Sequence, residues 1–334
     1  MVTYLQSLQQ SLRKLLATDE RVYILGEDLL DPYGGAFKVT QGLSTDFPTR
    51  VLTTPISEAT IIGLGNGMAL RGLRPIVEIM FGDFMTLTAD QIINYAAKFR
   101  PMYNGQVSVP LVIRVPMGGG RGYDPTHSQT LEKIFLGIPH LHLVAPSHFH
   151  NPGTMLEHAT LADETPVIFI EHKRLYSEKL VTQPTEFLRV ETQYDSASYA
   201  TKIVRNYNLG SPDVTIVGYG GTSLLIAPLL QKLAEEEIRV LACFPGCLKP
   251  LPKDLLATCA AESGRVVVVE ESTRSFSWGS EVAALLTEHL WGRLQAPIKR
   301  VAALDTIIPA AKPLEAAVLP SPEAVEEAIF EVLL

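Results

Sequence analysis

The period of the hydrophobic pattern changes along the chain. Near the amino terminus Leu5, Leu8, Leu12, Leu15 and Leu16 recur at helical intervals among Gln, Ser, Arg and Lys, which predicts an amphipathic packing helix. Short apolar, β-branched runs follow at Arg21–Leu25, Arg74–Met80, Pro110–Val115, Leu141–Ala145 and Pro166–Glu171. Between them lie helical stretches at Glu58–Leu70, Thr88–Phe99 and Asn151–Leu161. Strands alternating with helices at this spacing predict a parallel sheet covered on both faces. Ligands of such sheets bind at the carboxyl ends of the strands.

From Val181 to Pro212 the pattern weakens into polar, turn-rich pieces such as Gln183-Pro184-Thr185, Asp195-Ser196-Ala197-Ser198 and Gly210-Ser211-Pro212-Asp213. Alternation then resumes: strands at Val214–Gly218, Arg239–Phe244, Arg265–Glu270 and Lys299–Leu304, helices at Ser223–Glu236 and Gly279–Trp291. Ser321-Pro322-Glu323 opens a last helix, with proline in its first turn and a carboxylate at its positive end. The expectation is an α/β fold of two domains, each a mostly parallel sheet flanked by helices: residues 1–182, a linker at 183–212 and residues 213–334.

Composition narrows the function. The net charge of −8 lacks the basic footprint of a nucleic-acid partner. Charged residues are 19% of the 334, against about 25% in ordinary soluble proteins. The charge-free stretch Val214–Gln231 is broken by Gly218-Tyr219-Gly220-Gly221, so it does not read as a membrane span. A subunit of a larger assembly is expected instead. The amino terminus reads as a packing helix rather than a signal peptide, and a cytoplasmic location is expected. Cys243, Cys247 and Cys259 are odd in number, form no paired knuckle and are expected as structural residues.

The passage richest in chemistry is Thr53-Thr54-Pro55-Ile56-Ser57-Glu58, running into Ala59-Thr60-Ile61-Ile62-Gly63-Leu64-Gly65-Asn66-Gly67. It describes a loop entering a helix, with Thr54 or Ser57 available as a cap and Glu58 at the helix mouth. Gly63 and Gly67 fall on one face. Glycines inside a helix cost ~1 kcal/mol each against alanine, so that face is expected against a close partner. On spacing alone, Glu58 serves equally as a complement to the helix dipole.

Glu58, Gly63, Leu64 and Gly67 at this spacing resemble thiamine-diphosphate enzymes of the transketolase group. The wider chain resembles the beta subunit of the decarboxylating component of 2-oxo acid dehydrogenase complexes. The matching pieces include Gly26-Glu27-Asp28, Gly34-Gly35-Ala36-Phe37, Thr54-Pro55-Ile56-Ser57-Glu58, Gly72-Leu73-Arg74-Pro75, Asp90-Gln91-Ile92-Ile93-Asn94, His127-Ser128-Gln129 and Glu171-His172-Lys173. The resemblance implies an oxidoreductase on 2-oxo acids, of the acetyl-transferring pyruvate dehydrogenase or branched-chain type, active only with an alpha chain. It implies that Glu58 holds a ring nitrogen of the aminopyrimidine, that Met80 and Phe84 pack against that ring, and that His127 assists in acyl transfer.

The resemblance also implies what other chains supply. Magnesium binding by this cofactor uses a Gly-Asp-Gly segment, which this sequence lacks; Gly82-Asp83-Phe84 comes nearest. Thiamine diphosphate is therefore expected to be shared with an alpha subunit that holds Mg²⁺, in an α2β2 heterotetramer. A monovalent cation, K⁺, is a family feature expected at the backbone of Leu111 and Ala159. The acyl acceptor is expected to be a lipoyl group on an acyltransferase core, or a different acceptor in a carboligase; a non-catalytic assembly subunit is a third alternative. The second half departs from the family at Leu294-Gln295-Ala296-Pro297, Ser275-Phe276-Ser277-Trp278 and Cys243-Phe244-Pro245-Gly246. Two other features are expected to be incidental: Gly118–Gly122 as a mobile loop rather than a phosphate cradle, and His140, His142, His148 and His150 as surface residues rather than zinc ligands.

Overall fold

A computed structural model describes residues 2–194 and 198–334. Thirteen strands form two sheets: β1 (Val22–Gly26), β2 (Val51–Thr53), β3 (Arg74–Glu78), β4 (Val112–Met117), β5 (His142–Val144), β6 (Val167–His172), β7 (Arg189–Tyr194), β8 (Ala200–Arg205), β9 (Val214–Gly218), β10 (Val240–Pro245), β11 (Cys247–Lys249), β12 (Val266–Thr273) and β13 (Lys299–Ala303). The first sheet has the order β11-β5-β6-β4-β3-β1-β2, and the second β13-β12-β9-β10-β8-β7. β3, β4 and β6 are buried at every position, as strands sandwiched between two helical layers must be. The two-domain parallel α/β architecture expected from the alternation is present.

The amino-terminal helix Tyr4–Thr18 buries Leu8, Leu12, Leu15 and Leu16. Its capping box joins Thr3 and Gln6. The closing helix Pro322–Leu333 is capped by Ser321, whose side chain accepts from the Ala324 amide at 3.2 Å. A helical run from Met85 to Met102 carries a π turn at Gln91–Ala96.

Three departures from the sequence expectation matter. The stretch 183–212 is not all linker: β7 and β8 pair antiparallel with each other, and β8 pairs with β10. Their signal is weak because β7 buries only Val190 and exposes its other residues; Asp195, Ser196 and Ala197 lie outside the described residues. Second, β11 leaves the second domain and pairs antiparallel with β5 of the first sheet. Third, the helix Lys253–Ser263 has no counterpart among the expected elements.

In each sheet the strand order reverses at the domain's first parallel strand. β1 lies between β2 and β3, and β9 between β10 and β12, all parallel. Connections leave such a point in opposite directions and open a crevice beyond the carboxyl ends.

Candidate active site

The register places Gly26, Thr53 and Glu78 abreast at the ends of β1, β2 and β3. Gly26 has no room for a side chain, since a Cβ would lie 2.7 Å from the Glu78 carbonyl oxygen. Beyond this edge the chain supplies Glu27 from β1, Thr54 and then Glu58 from β2, and Met80, Phe81 and Phe84 from β3.

Glu58 is the first residue of the helix Glu58–Leu70 and is 6% exposed. Its carboxylate forms no hydrogen bond or ion pair among the described residues. Neither expected cap acts. Ser57 makes no bond to the helix amides and pairs its hydroxyl with that of Thr60 at 2.7 Å; the Thr54 hydroxyl is buried with no partner. Glu27 lies close enough for burial, and then the charges of Glu58 and Asp28, to push its carboxyl up, and its Oε1 is buried without a partner. The crevice thus holds acidic groups that the chain itself leaves unsatisfied.

Directly beneath, two carboxylates share one guanidinium. The buried Arg114 guanidinium donates to Glu78 Oε2 at 2.6 Å and to both oxygens of Glu171 at 2.7 and 2.8 Å. Tyr176 donates to Glu171 at 2.7 Å. Burial pushes the Glu78 carboxyl up against the opposing pull of Arg114. No spacing in the sequence signals this triad, because its members come from β3, β4 and β6.

His127 arrives on the connection after β4. Its ring meets the edges of Phe81 and Phe84, with centroids 4.6 and 5.3 Å away. Its Nδ1 lies 2.9 Å from Thr126 Oγ1 and 3.4 Å from Asp124 Oδ1. Lys173, pushed down to about 8 by burial, donates to the His127 carbonyl. Met80 and Phe84 are both half-buried, so they offer apolar surface at the same edge as Glu58.

Other expected positions fall elsewhere. Leu111 lies at the amino edge of the sheet, its carbonyl accepting from Val167 at 2.8 Å, and Ala159 is buried within the helix Pro152–Leu161. The tight helix glycine is Gly65, where a Cβ would sit 2.9 Å from Leu111 Cδ1; a Cβ on Gly63 would meet Gln91 Oε1 at 3.2 Å, and one on Gly67 would meet nothing within 4 Å. Among the described residues no group of three His, Cys, Asp or Glu side chains is placed to hold a metal ion.

Two expectations about incidental features are corrected. Of the four histidines at 140–150, only His140 is exposed. His148 and His150 are buried, hydrogen-bonded to Ser223 and to Ser147 and Ala200, and pushed down to about 4 and about 3 by burial; His142 bonds Asp163 at 2.6 Å. Their partners are distant in sequence, so the run looks like surface. The Gly118–Gly122 loop, expected to be mobile, is bonded through its amides to Glu271 and Glu315 of the second domain. The three cysteines are buried and form no disulfide among the described residues.

Among the described residues no helix is long and apolar enough to cross a membrane. The transketolase pyrimidine-binding domain matches residues 1–179, and the transketolase C-terminal domain residues 206–325. The 2-oxoisovalerate dehydrogenase subunit beta of Bacillus subtilis (strain 168) is 35% identical over 335 residues, covering 99% of this chain and 98% of that protein. The pyruvate dehydrogenase E1 component subunit beta of Leifsonia xyli is 37% identical over 326 residues, covering 97% and 92%. A solved split-gene transketolase, an inactive beta4 tetramer, superposes with a TM-score of 0.73 at 18% identity, covering 100% and 99% of the two chains; that likeness concerns the fold. With two domain matches in series and relatives aligned end to end, the chain belongs to the transketolase-like family of 2-oxo acid dehydrogenase E1 beta subunits.

Proposed function

We propose that this chain supplies the pyrimidine-side half of a thiamine diphosphate site in a heterotetramer that decarboxylates a 2-oxo acid, pyruvate or a branched-chain one, and passes the acyl group to a lipoyl acceptor. The family implies the cofactor, and the crevice fits it. An unpaired carboxylate at Glu58, with orphaned polar atoms on Glu27 and Thr54, is a donor-acceptor set that a nitrogen heterocycle completes. Met80 and Phe84 would face its ring, and Mg²⁺ and the diphosphate would be held by the alpha chain. K⁺ at the carbonyls of Leu111 and Ala159 belongs to the same proposal. When bound, the cofactor's thiazolium acts as the electron sink for decarboxylation.

The chain's own part is proton control and orientation. Glu58, shielded from water at a helix mouth, holds a proton between its carboxyl oxygen and a ring nitrogen. Phe81 and Phe84 close the crevice on one side and fix the ring of His127. His127 then donates to, or stabilises charge on, the acyl group in transit.

The unpaired carboxylate of Glu58, a residue 6% exposed at the strand edge, carries this reading. Assembled with its alpha chain, the protein is expected to decarboxylate a 2-oxo acid with an artificial electron acceptor. The Glu58→Gln variant is expected to lose about 100-fold or more in kcat. Full activity in an assembled Glu58→Gln tetramer defeats the proposal. NADH formation that requires a lipoyl protein and its reductase supports the lipoyl acceptor; a carbon–carbon-bonded product formed with neither lipoyl protein nor artificial electron acceptor points to a carboligase.

A further inference from the structure

The loop after β4 is gripped from both domains. From the second, Glu271 accepts from the Gly119 amide at 2.7 Å, while the two oxygens of Glu315 accept from Gly120 and Gly122, each at 2.8 Å. Glu315 is 2% exposed, and its bonds to the loop are partly buried. Glu271 is itself fixed by His172 Nε2 at 2.8 Å. Burial alone would push its carboxyl up, but the His172 charge and hydrogen bond and the Gly119 amide take it down to about 2. From the first domain, Arg121 donates to the Lys173 carbonyl at 2.9 Å, and the Lys173 ammonium donates to the His127 carbonyl.

The glycines make this grip geometrically feasible. Gly118, Gly120 and Gly122 have φ of +94°, +81° and +71°, so successive amides turn toward one side of the loop. Such a nest of amides is an anion site, and here the anions are the chain's own carboxylates. A Cβ at Gly119 would lie 2.7 Å from Leu319 Cδ1, which holds the loop hard against the short helix Lys312–Val318. Charge-assisted bonds from amides to carboxylates are among the stronger ones available to a loop.

We propose that Glu315 and Glu271 are positioning residues: the second domain sets His127 over the crevice by holding, through backbone amides, the loop that carries it. The proposal rests on the role given to His127 above. Neither carboxylate touches the reacting atoms, and their effect passes through residues 118–127.

Two readouts separate the grip from the chemistry. Deuterium exchange of the 118–123 amides in the full chain should accelerate about tenfold or more in Glu315→Ala, with Glu315→Gln intermediate because it keeps one acceptor oxygen. In the assembled enzyme, Glu315→Ala should lower kcat for acyl transfer toward the His127→Ala level, with KM for the 2-oxo acid within about twofold. In a His127→Ala background, Glu315→Ala should then cost less than about twofold more, since both act through one group. Unchanged exchange in both Glu315 variants overturns the grip and leaves the proposed function standing. Losses that multiply in the double variant overturn action through His127. A fully active His127→Ala enzyme overturns the role of His127, and the positioning claim with it.

Discussion

The two domains present the same topological feature and use it differently. At the reversal beside β1, the crevice keeps Glu58 and Glu27 short of partners. At the reversal beside β9, the corresponding space is filled. Tyr219 donates to the buried Glu132 of the first domain at 2.8 Å and packs on Trp278 with ring centroids 4.9 Å apart. A Cβ on Gly221 would lie 2.3 Å from the His172 ring, so the first domain's edge leaves no opening there. Nearby, Glu270 accepts from Ser277 at 2.6 Å, from Gly279 at 2.9 Å and from Arg300 at 3.2 Å. One crevice is left available to a ligand; the other is consumed in joining the domains. Glu58, the acid to which the proposed function assigns chemistry, has no partner among the described residues, whereas Arg114 and its two carboxylates are bonded to one another and Glu132 keeps only its Oε2 without a partner.

The sharpest way to break that distinction is to swap the consequences. Arg114→Met leaves Glu78 and Glu171 buried without their cation and is expected to destabilise the chain by about 3–5 kcal/mol in denaturant unfolding. Glu58→Gln removes a charge that had no partner and is expected to change stability by less than about 1 kcal/mol in the same assay. Comparable losses in the two variants would erase the contrast between matched and unmatched acids.

The joint between domains has its own signature. Burial pushes the Glu132 carboxyl up to about 8, against the hydrogen bond from Tyr219. A raised folded value means that the unfolded chain gives up this proton first, from about pH 4.5 upward. Stability from this group therefore falls as pH rises toward 8, by on the order of 3 kcal/mol between pH 5 and 8. Glu132→Gln should flatten that slope in unfolding titrations at several pH values, and an unaltered slope would remove Glu132 as its source.

The smallest effects concern the helix glycines. Gly65→Ala forces a methyl against Leu111 and Val77 and should cost about 1–2 kcal/mol, whereas Gly67→Ala meets open space in the chain and should stabilise it by up to about 1 kcal/mol. Thermal unfolding of the chain without a partner distinguishes them, and equal shifts would refute the difference in packing.

Local pattern made much of this legible. Val214–Gly218 and Glu58–Leu70 have the expected bounds, because each is a long apolar or periodic run with a turn at its end. The carboxyl-edge location of Glu58 follows from the same alternation. What the pattern hides is satisfaction at a distance. His148 and His150 look solvated until Ser223 and Ala200 are brought to them. The amides of Gly119–Gly122 look free until residues 152 to 195 positions away supply carboxylates. Three-residue β11 is too short to carry a period at all.

That short strand has a further consequence. By lying along β5, Cys247–Lys249 covers the outer border of a sheet to which it does not belong in sequence. A fragment stopping at the domain junction would bare the rim at His142–Val144, the sort of frayed selvage to which stray strands adhere. The two halves are thus sewn together along this border.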